Sequence, residues 1–289
     1  MISIIPEGFN DFACKGGSCR HTCCQVWEID IDEDTAEYYR QLPGKLGDDL
    51  RRSMVREDGT WHFRLNPQGY CHLLDPDGLC RVIKELGEDA LCDICTVHPR
   101  FFTYVYEYIL CGTGLCCEKT CEVMAALPGP LHFTQEETGE VFTFPELLEE
   151  MGLEDLPEAK LHFSPDLTRK ELEVMIRELS ATEPIDQAWT RDLQEIERDL
   201  KGALDRYHTF AENAPLPFFD RLYQYIFYRQ LDKEAECGME ILARYAQKST
   251  QFILLQAART GDLLEAPRRW SEQIEYDTEN VDLLLSQQI

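Results

Sequence analysis

At 289 residues, with 44% hydrophobic and 28% charged side chains, the chain is long enough to bury a substantial core and needs no disulfide scaffold on grounds of size. Its formal net charge of -26 excludes a nucleic-acid backbone as partner, because polyanions repel and no basic stripe is present to release counterions. The charge suits a basic surface such as a lysine-bearing protein, although solubility alone also accounts for it.

In chain order, segments 32–42 and 47–55 read as short helices, with Asp32 or Asp34 placed to cap the first. Segment 81–90 reads as a helix between two cysteine pairs. The aromatic and β-branched run FFTYVYEYIL, 101–110, reads as one strand. The breaker cluster Leu127-Pro128-Gly129-Pro130 marks a boundary between a cysteine-rich region, 1–126, and an acidic helical region, 127–289. Beyond it, 168–179 opens with a Thr-x-x-Glu capping box, Thr168 to Glu171. Helices at 189–207, 218–231, 233–245, 250–258 and 279–286 follow. The expected fold is mainly α: a loop-rich, metal-binding N-terminal region with a small strand element, packed on a helical C-terminal region. No run of about 18 apolar residues is present to span a membrane. The opening MISIIPEGFNDFAC has neither a basic nor a long apolar leader, so a cytoplasmic protein with reduced thiols is expected. Nothing in the sequence fixes an oligomeric state.

Twelve of the thirteen cysteines lie between Cys14 and Cys121. Cys14, Cys19, Cys23 and Cys24 form C-x4-C-x3-C-C. Cys71 and Cys80 flank HLLDPDGL, whose Asp-Pro-Asp-Gly turn brings its two ends back together. Cys92 and Cys95 form a CxxC, and Cys111, Cys116, Cys117 and Cys121 form a last group. Thiolates in fours are the usual ligands of zinc and of iron–sulfur clusters. Gly16 and Gly17 give the first loop freedom to wrap an ion. Ligand type alone does not separate iron–sulfur from zinc. More than four thiolates are on offer, so either two sites exist or some are spare. His21, His72 and His98 read as neighbours of the cysteines rather than ligands. Cys237, alone in a helix, reads as a small buried hydrophobe. Disulfides are disfavoured by the reducing compartment, and adjacent Cys23 and Cys24 would strain the backbone if bonded to each other.

The run C-x4-C-x3-C-C, then Cys71-His-Leu-Leu-Asp to Gly78-Leu-Cys80, then Lys84-Glu-Leu-Gly87 through Cys92-Asp-Ile-Cys95 to Pro99-Arg100, resembles the flagellin lysine-N-methylases. It is also similar to the broader group of zinc- or iron-chelating cysteine-cluster domains. YQYIFYRQ at 223–230 and SEQIEYDTENVDLLL at 271–285 look like the methylases' helical C-terminal segments. The resemblance implies methyl transfer from S-adenosylmethionine to lysine ε-amines of a protein substrate, flagellin, by an enzyme holding a [4Fe-4S] cluster. The matching positions, which it implies as metal ligands, are Cys14, Cys19, Cys23, Cys24, Cys71, Cys80, Cys92, Cys95 and Cys117. Cys116 and Cys121 depart from the pattern. The alternative is a non-enzymatic zinc- or iron–sulfur-binding protein, structural or redox-sensing.

Methyl transfer needs a neutral amine, and aromatic walls can hold a sulfonium or ammonium. Trp27, Trp61, Tyr104, Tyr106, Tyr108, Tyr223, Tyr225, Phe227 and Tyr228 are available, and they also read as core. Glu28 or the pair Glu272 and Glu275 can meet a ribose or a lysine. No Rossmann fingerprint is present: Gly112-Thr113-Gly114 lacks the third glycine and the acidic residue beyond it. A radical CxxxCxxC motif would need a cysteine where Val26 stands. No pattern marks a catalytic base.

Overall fold

The computed structural model describes residues 1–289 apart from Glu28, Glu154, Asp155 and Ile289. The expectation for Glu28 thus lies outside the described residues. The described strands are β1 (Ile2–Pro6), β2 (Ile29–Ile31), β3 (Met54–Glu57), β4 (Thr60–Phe63), β5 (Arg100–Val105), β6 (Tyr108–Thr113), β7 (His132–Gln135) and β8 (Val141–Thr143). The chain divides into two compact units. One is Ala13–Arg100; the other joins Met1–Phe12 to Phe101–Ile289. The boundary read at 126/127 therefore falls inside the second unit. The breaker cluster there is a short connector. Arg221, buried, donates to the Met124 carbonyl at 2.9 Å and to the Gly129 carbonyl at 2.8 Å, tying it to the helical core.

The larger unit holds a five-stranded sheet in the order β5-β6-β1-β7-β8. β1 runs parallel to β6, with Ile2 opposite Tyr108 and Ile4 opposite Leu110, and antiparallel to β7. The smaller unit is thus inserted in the connection between β1 and β5. The helix Leu216–Arg229 lies on this sheet and is apolar nearly all round, as a helix must be when neighbours cover every face. Two of its tyrosines carry polar tips to the strands. The Tyr225 hydroxyl accepts from Thr113 N–H and donates to the Thr113 carbonyl, both at 2.7 Å, while that of Tyr228 lies 3.0 and 2.9 Å from the carbonyls of Ile4 and Cys111. These bonds satisfy groups that would otherwise be buried without partners. The helix Met239–Thr260 forms the second buried rod of the same core.

A mainly helical chain is what the structure shows, with six described strands outside the single aromatic run that the sequence pattern indicated. That run is itself a hairpin, β5 and β6, turned at Tyr106 and Glu107. Tyr106 has φ +51°, so the turn carries neither glycine nor proline to announce it. The expected helix at 189–207 is two, Gln187–Arg198 and Leu200–Ala211, because Asp199 leaves the helical region and caps Gly202 N–H at 2.9 Å. The expected pair at 233–245 and 250–258 is broken instead at Gly238, φ +80°, and runs uninterrupted from Met239 to Thr260. The helix Glu265–Ile274 escaped sequence reading because Pro267 looks like a breaker; it occupies the first turn, where its missing N–H costs nothing. The capping box of Arg169–Leu179 forms as expected. Among the described residues no helix is long and apolar enough to cross a membrane.

Candidate metal centre

Within Ala13–Arg100, a three-stranded antiparallel sheet, β2-β4-β3, and the helix Glu33–Gln41 form a small core that includes the side chains of Cys71 and Cys92. Asp32 organises it. One carboxylate oxygen caps Thr35 N–H at 2.8 Å and the other takes Asp93 N–H at 3.0 Å, so a single side chain holds the first helix and the CxxC helix Asp93–Val97 together. The sequence offered Asp32 or Asp34 as the cap; the structure places it at Asp32, whose second bond, spanning 61 positions, had no sign in the sequence.

The Cys71–Cys80 segment turns back as expected. Asp75 carbonyl accepts from Gly78 N–H, and Leu79 carbonyl from Asp75 N–H, both at 2.9 Å. Lys84 bonds Asp75 at 2.6 Å and Asp77 at 2.8 Å, which pins the turn to the helix Arg81–Leu86. Cys71 N–H donates to the Cys24 carbonyl at 2.8 Å, so the first cysteine group meets the second through the backbone. Gly17 serves close approach rather than freedom to wrap: a Cβ there would stand 2.4 Å from the Asp77 carbonyl oxygen. The loop of Cys14 and Cys19 thereby lies on the Cys71–Cys80 turn.

None of the thirteen cysteines is in a disulfide. Cys24, Cys71, Cys80, Cys92 and Cys95 share one electrostatic neighbourhood. Burial pushes the Cys71 thiol up to about 12, and the charges of Cys24, Cys80 and Cys92 act in the same direction. Burial also raises Cys80, with Cys24 and Cys92 adding to it. A hydrogen bond shared between Cys92 and Cys95 lowers the first and raises the second. A hydrogen bond from Cys23 brings Cys24 down to about 7. Tyr39 stands within reach of the charges on Cys92, Cys95 and Cys80, and donates its hydroxyl proton to the Ala90 carbonyl at 2.5 Å. Trp27 donates its indole N–H to the Cys23 carbonyl at 2.7 Å and packs its ring 5.7 Å from that of His98. Burial lowers His98 to about 4 and keeps it neutral.

The nine expected ligands therefore separate. Five share that electrostatic neighbourhood, Cys23 joins them through its hydrogen bond with Cys24, and Cys19 is half-buried in the overlying loop. Cys14 is exposed and accepts from Gly16 N–H at 3.3 Å. Cys117 lies in the other compact unit, among Cys116 and Cys121. Among the described residues no three His, Cys, Asp or Glu side chains are gathered tightly enough to hold a metal ion as they stand. The donor chemistry nonetheless fits a thiophilic metal. Several reduced, largely buried thiols lie near one another, and the burial that raises Cys71 and Cys80, with the repulsion of neighbouring thiolates added to it, is what a bound cation offsets.

The same unit carries a cleft of about 440 Å³ lined by Glu37, Arg40, Gln41, Arg51, Met54 and Trp61. Arg40 and Arg56 stand 5.9 and 5.5 Å from the Trp61 ring. Every arginine here has a carboxylate partner: Arg40 with Glu37 at 2.8 Å, Arg51 with Asp48 at 2.6 Å and Arg56 with Glu33 at 3.3 Å. Of these residues only Trp61 was singled out in the sequence. The others come from two helices and from β3, and no single sequence pattern joins the three. Glu275, offered with Glu272 as a group that can meet a ribose or a lysine, is buried, with its side chain 1% exposed, and faces Arg229 at 3.4 Å.

No family model matches the chain, and no solved structure matches it. Among curated proteins it is similar to the lysine-N-methylase of Salmonella choleraesuis (strain SC-B67), 32% identical over 128 residues, which covers 41% of this chain and 31% of that protein. The lysine-N-methylase of Salmonella typhimurium (strain LT2) is 33% identical over the same length and coverage. The flagellar biosynthetic protein FliU of Salmonella muenchen is 31% identical over 128 residues, covering 41% of this chain and 75% of that protein. The match thus spans about a third of the two lysine-N-methylases.

Proposed function

Because the chain belongs to the lysine-N-methylase and FliU family, we propose that it is a protein-lysine N-methyltransferase that uses S-adenosylmethionine, with flagellin as the acceptor and the cytoplasm as its compartment. The observation that carries this reading is the match over three quarters of FliU, together with names of longer relatives that state a lysine methylation. Thirteen cysteines without a disulfide support a reducing compartment.

Two groups are proposed to bind. A [4Fe-4S] cluster, or Zn2+, would be held by four of Cys24, Cys71, Cys80, Cys92 and Cys95. S-adenosylmethionine, which supplies an activated methyl group, would occupy the Trp61 cleft. Its volume is within the range of small-molecule sites. With each arginine already matched by a carboxylate, the cleft is close to neutral, which favours a zwitterion over a polyphosphate. Arg40 and Arg51 would orient a carboxylate, Glu37 would accept from hydroxyl or ammonium donors, and the Trp61 face would hold a ring or a cation.

A second reading, a non-catalytic metal-binding protein, draws on one specific observation: the thiol set sits in a compact unit of its own, and the match leaves about two thirds of each lysine-N-methylase uncovered. Calorimetric titration of anaerobically purified, metal-loaded protein with S-adenosylmethionine separates the two. Saturable binding that weakens in Trp61→Leu supports the methyltransferase; absence of binding removes it. Metal analysis of the same sample decides iron and sulfide against zinc.

A further inference from the structure

We propose that the outward face of β5 and the turn after it dock an extended, lysine-bearing segment of a protein partner. This rests on the methyltransferase reading, since it names how the acceptor is recognised. β5 stands at the end of the five-stranded sheet, with β6 as its neighbour. An end strand has backbone donors and acceptors on offer to an incoming strand, and natural proteins ordinarily mask such edges with charge or proline.

Here the edge carries aromatics instead. Phe102 and Tyr104, two positions apart and so on one face of the strand, are 47% and 62% exposed, while Val105 on the other face is 4% exposed. Tyr106 is also 62% exposed and holds φ +51°, a conformation costly for a side chain this large. Its hydroxyl donates to Glu234 at 2.8 Å, which fixes the ring at the strand's end.

Arg100 opens the strand on the same face as Phe102 and Tyr104, and at the Tyr106 end of the strip the charge is acidic. Glu107 follows Tyr106 in the turn, and Asp232 and Glu236 flank Glu234 and are exposed. Lys233, the cation among them, is engaged by Asp282 at 2.9 Å. Aromatic faces rimmed by carboxylates select an ammonium group, because ring quadrupoles and carboxylates both attract positive charge. An extended segment pairing with β5 would place every second side chain beside Phe102 and Tyr104. Edge-to-edge pairing of two copies would bring acid against acid in a chain of net charge -26, which disfavours self-association through this strip.

The test is fluorescence polarisation of a labelled extended peptide with one central lysine, against its acetyl-lysine and glutamate versions, on the full chain. Binding should require the unmodified lysine. It should weaken about 2- to 30-fold in Tyr104→Ser, the span of one cation–π contact. The charge reversal Glu236→Lys should weaken it too, without altering a surface ring. Circular dichroism reports the fold of each variant. Equal binding by wild type and both variants overturns the proposal, as does a dimer in wild type that Tyr104→Ser abolishes. S-adenosylmethionine titration on the same samples keeps the two readings apart. Cofactor binding with no effect of Tyr104 on peptide binding defeats the docking surface alone, and absence of cofactor binding defeats the methyltransferase.

Discussion

Replacing Gly17 by alanine tests whether the first cysteine loop is placed by backbone contact. The new Cβ would lie 2.4 Å from the Asp77 carbonyl oxygen and 3.4 Å from Leu79 Cγ. Carbon contacts are favourable at about 3.5 Å, so the loop and the turn must separate by about 1 Å. The obstacle is backbone, held by Lys84 through Asp75 and Asp77, and no side-chain rotation relieves it. Overpacking of this kind costs about 1–3 kcal/mol. The expected result is a lower urea midpoint at unchanged slope, together with reduced metal content, because the loop bearing Cys14 and Cys19 lifts off the Cys71–Cys80 turn. Gly129→Ala is the control: a Cβ there meets nothing within 4 Å. If Gly17→Ala matches that control in both stability and metal content, the close approach is irrelevant and the account of the loop is wrong.

Arg229→Met strands the buried Glu275 carboxylate, and a broken buried pair costs about 3–5 kcal/mol; adding Glu275→Gln should recover part of that loss in denaturant melts, and strict additivity would show that the two side chains do not interact. In metal-free protein the Cys24 thiol, lowered to about 7 from 9.0, should be alkylated increasingly as pH rises through 7. A depressed acid stabilises the fold fully above its unfolded value and loses that contribution as pH falls through the folded one, so this term fades between about 9 and 7. A rate that climbs only near pH 9 refutes the lowered value. Cys92→Ser should lose metal and stability together, and Cys237→Ser should lose neither; the reverse pattern in metal analysis would relocate the centre.

The residues of the thiol set were legible before any coordinates, because cysteine spacing and turn chemistry are local properties. The Asp-Pro-Asp-Gly turn forms from its own four residues, and Asp32 caps the helix that follows it. The capping box at Thr168 and Glu171 is equally local. What the sequence alone determined, then, is which thiols are spaced as candidate metal ligands and where most helices begin. Only the tertiary structure decided that Cys117 belongs to a different compact unit from Cys24, Cys71, Cys80, Cys92 and Cys95, since β1 pairs with β6 across more than a hundred intervening positions. It also decided that Asp32 reaches Asp93, that Glu275 is buried against Arg229, and that the aromatic run folds at Tyr106. Each depends on contacts between segments far apart in the chain, whose free energy comes from burial and pairing and leaves no periodic trace in either segment.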